Sequence, residues 1–98
     1  MESITFGTKS YIIPLPAPYK LKWGFPLLIR TTEDDVVLEC PAFDEYGYGK
    51  NYDEALKDLG HSIVDFWKAL KRLKKRRKNM GESLARVFDN IEENIIRN

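Results

Sequence analysis

The stretch "NYDEALKDLGHSIVDFWKALKRLKKRRK", residues 51–78, decides the fold of this chain. Apolar residues recur in it at spacings of three and four, which is the period of a helix that buries one face. The stripe consists of Leu56, Leu59, Ile63, Phe66, Trp67, Leu70 and Leu73. We therefore predict one long amphipathic helix that packs across another layer of structure.

The start of this helix carries its own signal. Asn51 can accept a hydrogen bond from the first free N–H groups, and Glu54 can reach back toward the preceding backbone. Together they form a capping-box arrangement. Gly60 costs about 1 kcal/mol relative to alanine inside a helix, so its presence predicts close packing against a neighbouring element.

Upstream of the helix, short apolar runs replace the helical period. The runs "SYIIPL" (residues 10–15) and "YKLKW" (19–23) predict strands, and prolines separate them. The runs "LLIRT" and "VVLEC" flank the acidic turn "TEDD" (32–35), which predicts an antiparallel hairpin. A further short strand is expected within "AFDEYGYG" (42–49).

Downstream of the helix, residues 79–81 interrupt the pattern, and Gly81 suits a helix C-cap. A second helix is expected from about Ser83, with an apolar face formed by Leu84, Val87, Phe88, Ile91 and Ile95. This face has to be buried against the sheet, the first helix or another subunit, and the sequence leaves these three alternatives open.

These patterns predict an α+β fold. We expect a small antiparallel β-sheet of three to four strands, packed by one long α-helix, plus a C-terminal helix. Residues 1–78 would form the β-β-β-α domain, and residues 79–98 would form the C-terminal helix, a candidate dimerisation element. Because a small sheet with an exposed edge can pair with another strand, we also expect a homo-oligomer.

Composition narrows the class of protein. The formal net charge is only +1, but eight of the 16 lysines and arginines lie between Lys68 and Lys78. Cys40 is the single cysteine, which excludes an intramolecular disulfide, and its apolar surroundings predict a buried side chain. No apolar stretch reaches the roughly 20 residues that span a bilayer, and the first nine residues lack signal-peptide features. We therefore expect a cytoplasmic protein with no membrane contact.

A family resemblance rests on the hairpin, its acidic tip at Glu33–Asp35, Pro41 at the strand end and "GKNYDEAL" (residues 49–56). In this order they resemble the HicB-like antitoxins, which have a partial ribonuclease-H-like β-β-β-α fold. The resemblance covers residues 25–73, and the Leu-Pro-Gly-Cys segment common in the family is absent here. It implies a non-catalytic protein that occludes a HicA-like toxin or another small protein, without cofactor or metal.

The partner surface expected from this resemblance combines acidic and aromatic residues. Complementary charge would attract a basic toxin, and tyrosines bury a large area at little entropic cost. The predicted partner-binding residues are Glu33, Asp34, Asp35, Phe43, Asp44, Glu45, Tyr46 and Tyr48. The aromatic residues could equally cap the open edge of a small sheet.

The basic end of the long helix predicts a second contact. A helix that neutralises several phosphates binds nucleic acid with a steep salt dependence. The candidate residues are Lys71, Arg72, Lys74, Lys75, Arg76, Arg77 and Lys78. The alternative is a solvated helix end whose cations complement the helix dipole. A stand-alone nucleic-acid-binding or regulatory protein is accordingly the second function that we consider.

Catalysis is not expected. A ribonuclease-H-type reaction needs carboxylates that converge on two metal ions about 4 Å apart. Asp34 and Asp35 fall on a turn, where acidic residues are common, and Glu39 is expected to point to solvent. His61 is the sole candidate general base, but no partner for it is apparent, so we expect surface or half-buried packing.

Overall fold

The computed structural model describes the backbone of residues 3–75 and 81–97, with side chains from residue 9 onward in these ranges. Its strands are β1 (Ser3–Tyr11), β2 (Tyr19–Leu21), β3 (Phe25–Thr31), β4 (Val36–Cys40), β5 (Glu45–Gly49) and β6 (Ile95–Arg97). Its helices are α1 (Tyr52–Lys75) and α2 (Gly81–Asn94). The α+β class is confirmed.

The main sheet has four antiparallel strands in the order β1-β3-β4-β5. The predicted hairpin is confirmed, since Thr31 pairs with Val36 on either side of the acidic turn. The further strand expected within residues 42–49 is β5, which pairs along the whole of β4 from Val36↔Gly49 to Cys40↔Glu45.

Helix α1 lies across one face of this sheet and forms the core with it. Most of the predicted stripe is buried, and the helix also buries small residues beside it; the buried residues are Ala55, Leu59, Gly60, Ile63, Val64, Trp67 and Leu70. From the sheet they meet Leu27, Leu38 and Cys40. Leu73 departs from the prediction, because its side chain is 37% exposed near the end of the helix.

The cap of α1 differs from the standard arrangement in one partner. The side-chain oxygen of Asn51 accepts a hydrogen bond of 2.9 Å from the Glu54 N–H, as expected. The Glu54 carboxylate, however, accepts from the N–H of Lys50 at 2.8 Å, one residue before the cap. Both bonds satisfy backbone donors at the sheet-to-helix turn, so they fix the angle at which α1 leaves β5.

Gly60 is buried because the chain before β2 crosses α1 at this point. A methyl group built on Gly60 would overlap the carbonyl oxygen of Pro14, backbone against backbone. Gly47 on β5 has the same role on the sheet side, where a methyl group would overlap the Ala55 and Leu59 backbone. Two glycines therefore allow α1 to lie close to both its neighbours, and the packing expected around Gly60 is confirmed.

The N-terminal strands differ from the prediction. Strand β1 ends at Tyr11, so the strand expected over residues 10–15 lies too late in the sequence. Residues 12–15 leave the sheet to cross α1, and Ile13 is 1% exposed there. Within "YKLKW" only β2 is strand, and it pairs with β6 in a separate two-stranded sheet.

Helix α2 packs on its own chain, which answers the question that the sequence left open. Phe88 and Ile91 are buried in the same hydrophobic cluster as α1 and the sheet. The Asn90 side-chain amide donates a hydrogen bond of 3.3 Å to the carbonyl of Ala42. The Lys22 N–H donates a hydrogen bond of 2.8 Å to the carbonyl of Asn94. Ile95, predicted on the helical face, begins β6 instead.

Three smaller expectations concern single features. Gly81 has a φ of 73°, a left-handed conformation that favours glycine, and α2 begins there instead of near Ser83. Cys40 is buried and free, as predicted, and burial raises the pKa of its thiol to about 11. No helix among the described residues is both long and apolar enough to cross a bilayer.

Candidate partner-binding face and basic groove

The open face is the side of the main sheet opposite α1. Register places its residues in two cross-strand rows, one with Val37 between Arg30 and Tyr48, the other with Glu39 between Leu28 and Tyr46. Side chains alternate along each strand, so these six residues point away from buried Leu38 and Cys40. We define the open face as Leu28, Arg30, Val37, Glu39, Tyr46 and Tyr48.

Two large aromatic side chains stand out on the open face. Tyr46 is 41% exposed and Tyr48 is 61% exposed, two residues apart on the same side of β5. Their strand packs closely on α1, because Gly47 between them is buried against that helix. The carboxylate of Asp58 also accepts a hydrogen bond of 2.9 Å from the Tyr48 backbone N–H. The backbone that carries the two rings is therefore anchored on α1.

The surroundings of Tyr46 are acidic. The negative charge of Glu39 raises the pKa of the Tyr46 hydroxyl, and smaller contributions come from desolvation, Asp44 and a hydrogen bond with Glu39. The pKa of Glu45 is also raised, first by burial and further by the charges of Asp44 and Asp65. Glu39 and Asp44 therefore make the surroundings of Tyr46 acidic. Glu45 is a correction to the predicted partner surface, because it alternates with Tyr46, pairs with buried Cys40 and so lies on the α1 side of the sheet.

The acidic tip lies at the other end of β4. Two hydrogen bonds between Thr32 and Asp35 close its turn. The Thr32 N–H donates to the carbonyl of Asp35 at 2.9 Å, and the Thr32 hydroxyl accepts from the Asp35 N–H at 3.0 Å. Glu33, Asp34 and Asp35 are all exposed. Since Val36 pairs with Gly49, the tip adjoins the Tyr48 end of β5. Carboxylates therefore lie beyond both ends of the tyrosine pair.

Phe43 is a correction to the predicted partner surface. Its side chain is fully buried, and its ring lies 4.6 Å from the ring of Phe25, centroid to centroid. The neighbouring Asp44 has a φ of 52°, and this left-handed residue completes the turn between β4 and β5. Phe43 thus turns into the core, whereas Asp44 and Tyr46 remain exposed.

The carboxylates of the sheet do not converge. Asp34 and Asp35 lie on the tip, whereas Asp44 and Glu45 follow the opposite end of β4. In the part of the chain that the structure describes, no group of three or more histidine, cysteine, aspartate or glutamate residues could hold a metal ion. His61 is exposed on α1.

The basic residues of α1 partly surround a groove. Lys71, Arg72, Lys74 and Lys75 are exposed, whereas Arg76, Arg77 and Lys78 of the prediction lie outside the described residues. The groove has a volume of about 530 Å³ and is lined by residues of the C-terminal half of α1, of α2 and of β2. Its lining consists of these four basic residues, of Lys68 and Glu92, and of the aromatic residues Tyr19, Trp67 and Phe88. We call it the basic groove.

Sequence reasoning named the cations of the basic groove but missed its aromatic walls. Tyr19 belongs to β2 and Phe88 to α2, and only the docking of these elements against α1 brings them to Trp67. It also missed two exposed apolar side chains, Ile12 at 77% and Trp23 at 65%. Each was predicted to lie within a strand but follows the end of the observed strand. The alternation of side chains along a strand therefore did not indicate that these two are exposed.

Comparison of the chain with protein-family models, with curated proteins and with solved structures gave no match.

Proposed function

We propose that this protein is a non-catalytic binding protein that takes a basic partner protein on its open face. By its resemblance to the HicB-like antitoxins, the partner would be a small RNA-cleaving toxin of the HicA-like kind. The observation that carries the proposal is the pair Tyr46 and Tyr48, exposed side by side among carboxylates.

The tyrosines supply the affinity in this proposal. Aromatic side chains dominate the binding energy of many interfaces, because each buries a large area and loses few rotamers. Here the backbone that bears them is held by Gly47 against α1 and by the Asp58 carboxylate. A surface that is already ordered loses less conformational entropy when it binds, which favours this face as the docking site.

The carboxylates select the partner. Glu39 and Asp44 lie near Tyr46, and the exposed tip from Glu33 to Asp35 lies beyond Tyr48. Opposite charge across an interface speeds association and penalises partners of the wrong sign. A basic protein would complement the charge of this face. A ribonuclease that binds the phosphates of RNA is a protein of this kind.

Inhibition in this proposal is steric. The bound antitoxin-like chain would cover the RNA-binding surface of the toxin, and it performs no reaction of its own. The cytoplasmic location and the homo-oligomer stay predictions, and a stand-alone nucleic-acid-binding protein remains the alternative function.

The proposal is tested by co-expression with the product of a neighbouring small, basic open reading frame. We expect a stable complex, and RNA cleavage by the partner that stops at stoichiometric amounts of this protein. The double variant Tyr46→Ala/Tyr48→Ala should weaken the complex at least about 30-fold, given about 2 kcal/mol or more for an interface hot spot. Leu84→Ala, which trims an exposed side chain on α2, is the control. Undiminished inhibition by the double variant would refute the proposal.

A further inference from the structure

The basic groove combines two features that a solvated helix end does not need. Its walls include the rings of Tyr19, Trp67 and Phe88, which come from three different elements. Its rim carries a row of lysine ammonium groups that lie over these rings. The groove lies on α1, α2 and β2, apart from the strands that form the open face.

Each of the three lysines lies over one of the rings. The Nζ atom of Lys71 lies 4.3 Å from the Trp67 ring centroid. The Nζ atoms of Lys68 and Lys74 lie 5.6 Å from the Tyr19 ring and 5.0 Å from the Phe88 ring. A cation over an aromatic face keeps its charge and its N–H donors, whereas a cation paired with a carboxylate is neutralised.

The three lysines form a row that winds slowly around α1, because a step of three residues falls about 60° short of a full turn. They recur every three residues on α1, which corresponds to a rise of about 4.5 Å from each to the next. Among the described residues, none of the three forms an ion pair, and the groove carboxylate, Glu92, accepts instead from the Trp67 indole N–H at 3.2 Å. Arg72 and Lys75 add two more positive charges beside the groove.

We propose that the basic groove binds single-stranded nucleic acid, with phosphates on the Lys68, Lys71 and Lys74 ammonium groups and a base against the aromatic wall. A row of cations suits a ligand whose negative charges repeat along a chain. Tyr19 is half-buried and is the most exposed residue of the wall, since Trp67 and Phe88 are only 7% and 3% exposed, so a base would lie against Tyr19. A duplex keeps its bases stacked inside, whereas a single strand can turn them toward aromatic rings.

The test uses Trp67 as the reporter. The chain has two tryptophans, so in Trp23→Phe protein the fluorescence comes from Trp67 in the groove. This protein is titrated with an eight-nucleotide oligo(U), with the matching oligo(dT), with an eight-base-pair duplex and with tripolyphosphate. We expect the two single strands to change Trp67 emission and to bind at least tenfold more tightly than the duplex or tripolyphosphate. The ratio of the RNA to the DNA affinity decides which strand is preferred.

The lysine variant supplies the second measurement. In the same background, Lys68→Gln/Lys71→Gln/Lys74→Gln should weaken binding at least tenfold. It should also reduce the slope of log K against log salt concentration by about 2, since each phosphate contact of a single strand contributes roughly 0.7. The matched control is Lys9→Gln/Lys50→Gln/Lys57→Gln, which removes the same charge from exposed sites outside the groove lining. Circular dichroism and thermal unfolding verify that both variants fold.

Three results would overturn the proposal. Equal losses of affinity in the two triple variants would show that overall positive charge, and not the groove, accounts for the binding. Tighter binding of the duplex or of tripolyphosphate would show that no base contacts the aromatic rings. Absence of binding at low salt would exclude the site altogether. The groove variant leaves the open face intact, so its complex with the partner protein reports on the proposed function separately.

Discussion

The carboxylate of Asp58 on α1 accepts a hydrogen bond of 2.9 Å from the backbone N–H of Tyr48 on β5. This contact satisfies a donor at the outer edge of the sheet, where a strand would otherwise be open to pairing with another chain. It also links the long helix to the strand that presents the two exposed tyrosines. The framework of the fold and the candidate binding face therefore share one contact.

Loss of this contact should loosen β5. Asp58→Ala removes the acceptor and leaves the Tyr48 N–H to solvent, so we expect the free energy of unfolding to fall by about 1 kcal/mol. Amide hydrogen exchange at Tyr48 should become faster in the variant. Asp89→Ala, which truncates an exposed aspartate on α2, is the control and should change neither measurement. Unchanged exchange at Tyr48 in Asp58→Ala would show that the bond does not hold the strand.

Gly60 should resist replacement by the best helix former. Alanine propensity alone would stabilise α1 by about 1 kcal/mol, but the added methyl group overlaps the Pro14 carbonyl. We expect overpacking to prevail, so that Gly60→Ala lowers the free energy of unfolding by about 1–3 kcal/mol in urea denaturation. Lys57→Ala, at an exposed position of the same helix, should stay within about 0.5 kcal/mol of the parent. A Gly60→Ala protein more stable than the parent would contradict the observed crossing.

The cap predicts a graded series at the start of α1. Asn51→Ala deletes the acceptor for the Glu54 N–H and should cost about 1 kcal/mol of unfolding free energy. Asn51→Asp and Asn51→Ser retain a side-chain oxygen, so their free energies of unfolding should stay close to that of the parent. Thermal or urea denaturation of the three variants measures the order. Equal stabilities across the series would mean that the cap contributes nothing.

Cys40 predicts a loss of stability at high pH. Burial raises its pKa from 9.0 to about 11 in the folded chain. Its contribution is therefore complete below pH 9, where the thiol is protonated in both states, and is lost as the pH rises toward 11. The total loss is on the order of 3 kcal/mol. Comparison of Cys40→Ala with the parent isolates it, because the variant should lack this part of the pH dependence. The native thiol should also resist iodoacetamide at pH 8 until the protein is unfolded.

The sequence predicted those parts of the fold whose signals are local. The Asn51 cap, the α1 stripe and the two runs around "TEDD" each carry their own pattern. The pairing of Tyr19–Leu21 with Ile95–Arg97 joins opposite ends of the chain, and no local period encodes such a contact. Phe43 was misplaced for a different reason, since residues 43–48 alternate between the two sides of the sheet and the prediction assigned both sides to one surface.

The two candidate surfaces divide in the same way. Composition alone indicated the carboxylates beside Tyr46 and the cations of α1, because charge is visible in the sequence. The wall of the basic groove was not visible, since Phe88 reaches Lys74 only after α2 has docked. The cations in the sequence therefore indicated roughly where the basic groove lies, whereas its shape depends on tertiary packing.

The acidic character of the open face can be measured without a partner. Glu39 is the largest cause of the raised Tyr46 pKa, so Glu39→Gln should lower that pKa toward its ordinary value. Titration of the Tyr46 ring carbons by NMR at high pH measures the change. The control is Glu93→Gln on α2, which should leave Tyr46 unaffected. A Tyr46 pKa indifferent to Glu39 would remove the electrostatic argument for a basic partner.

Site-specific photo-crosslinking in the host cell tests the proposed binding face most directly. A photoreactive phenylalanine analogue replaces Tyr48 in one strain and the exposed Asp89 on α2 in another, and mass spectrometry identifies the adducts. We predict that position 48 captures one small, basic protein that position 89 does not, and that the purified protein cleaves RNA. Adducts shared by both positions, an adduct with a second copy of this chain alone, or no adduct at position 48 would contradict the account.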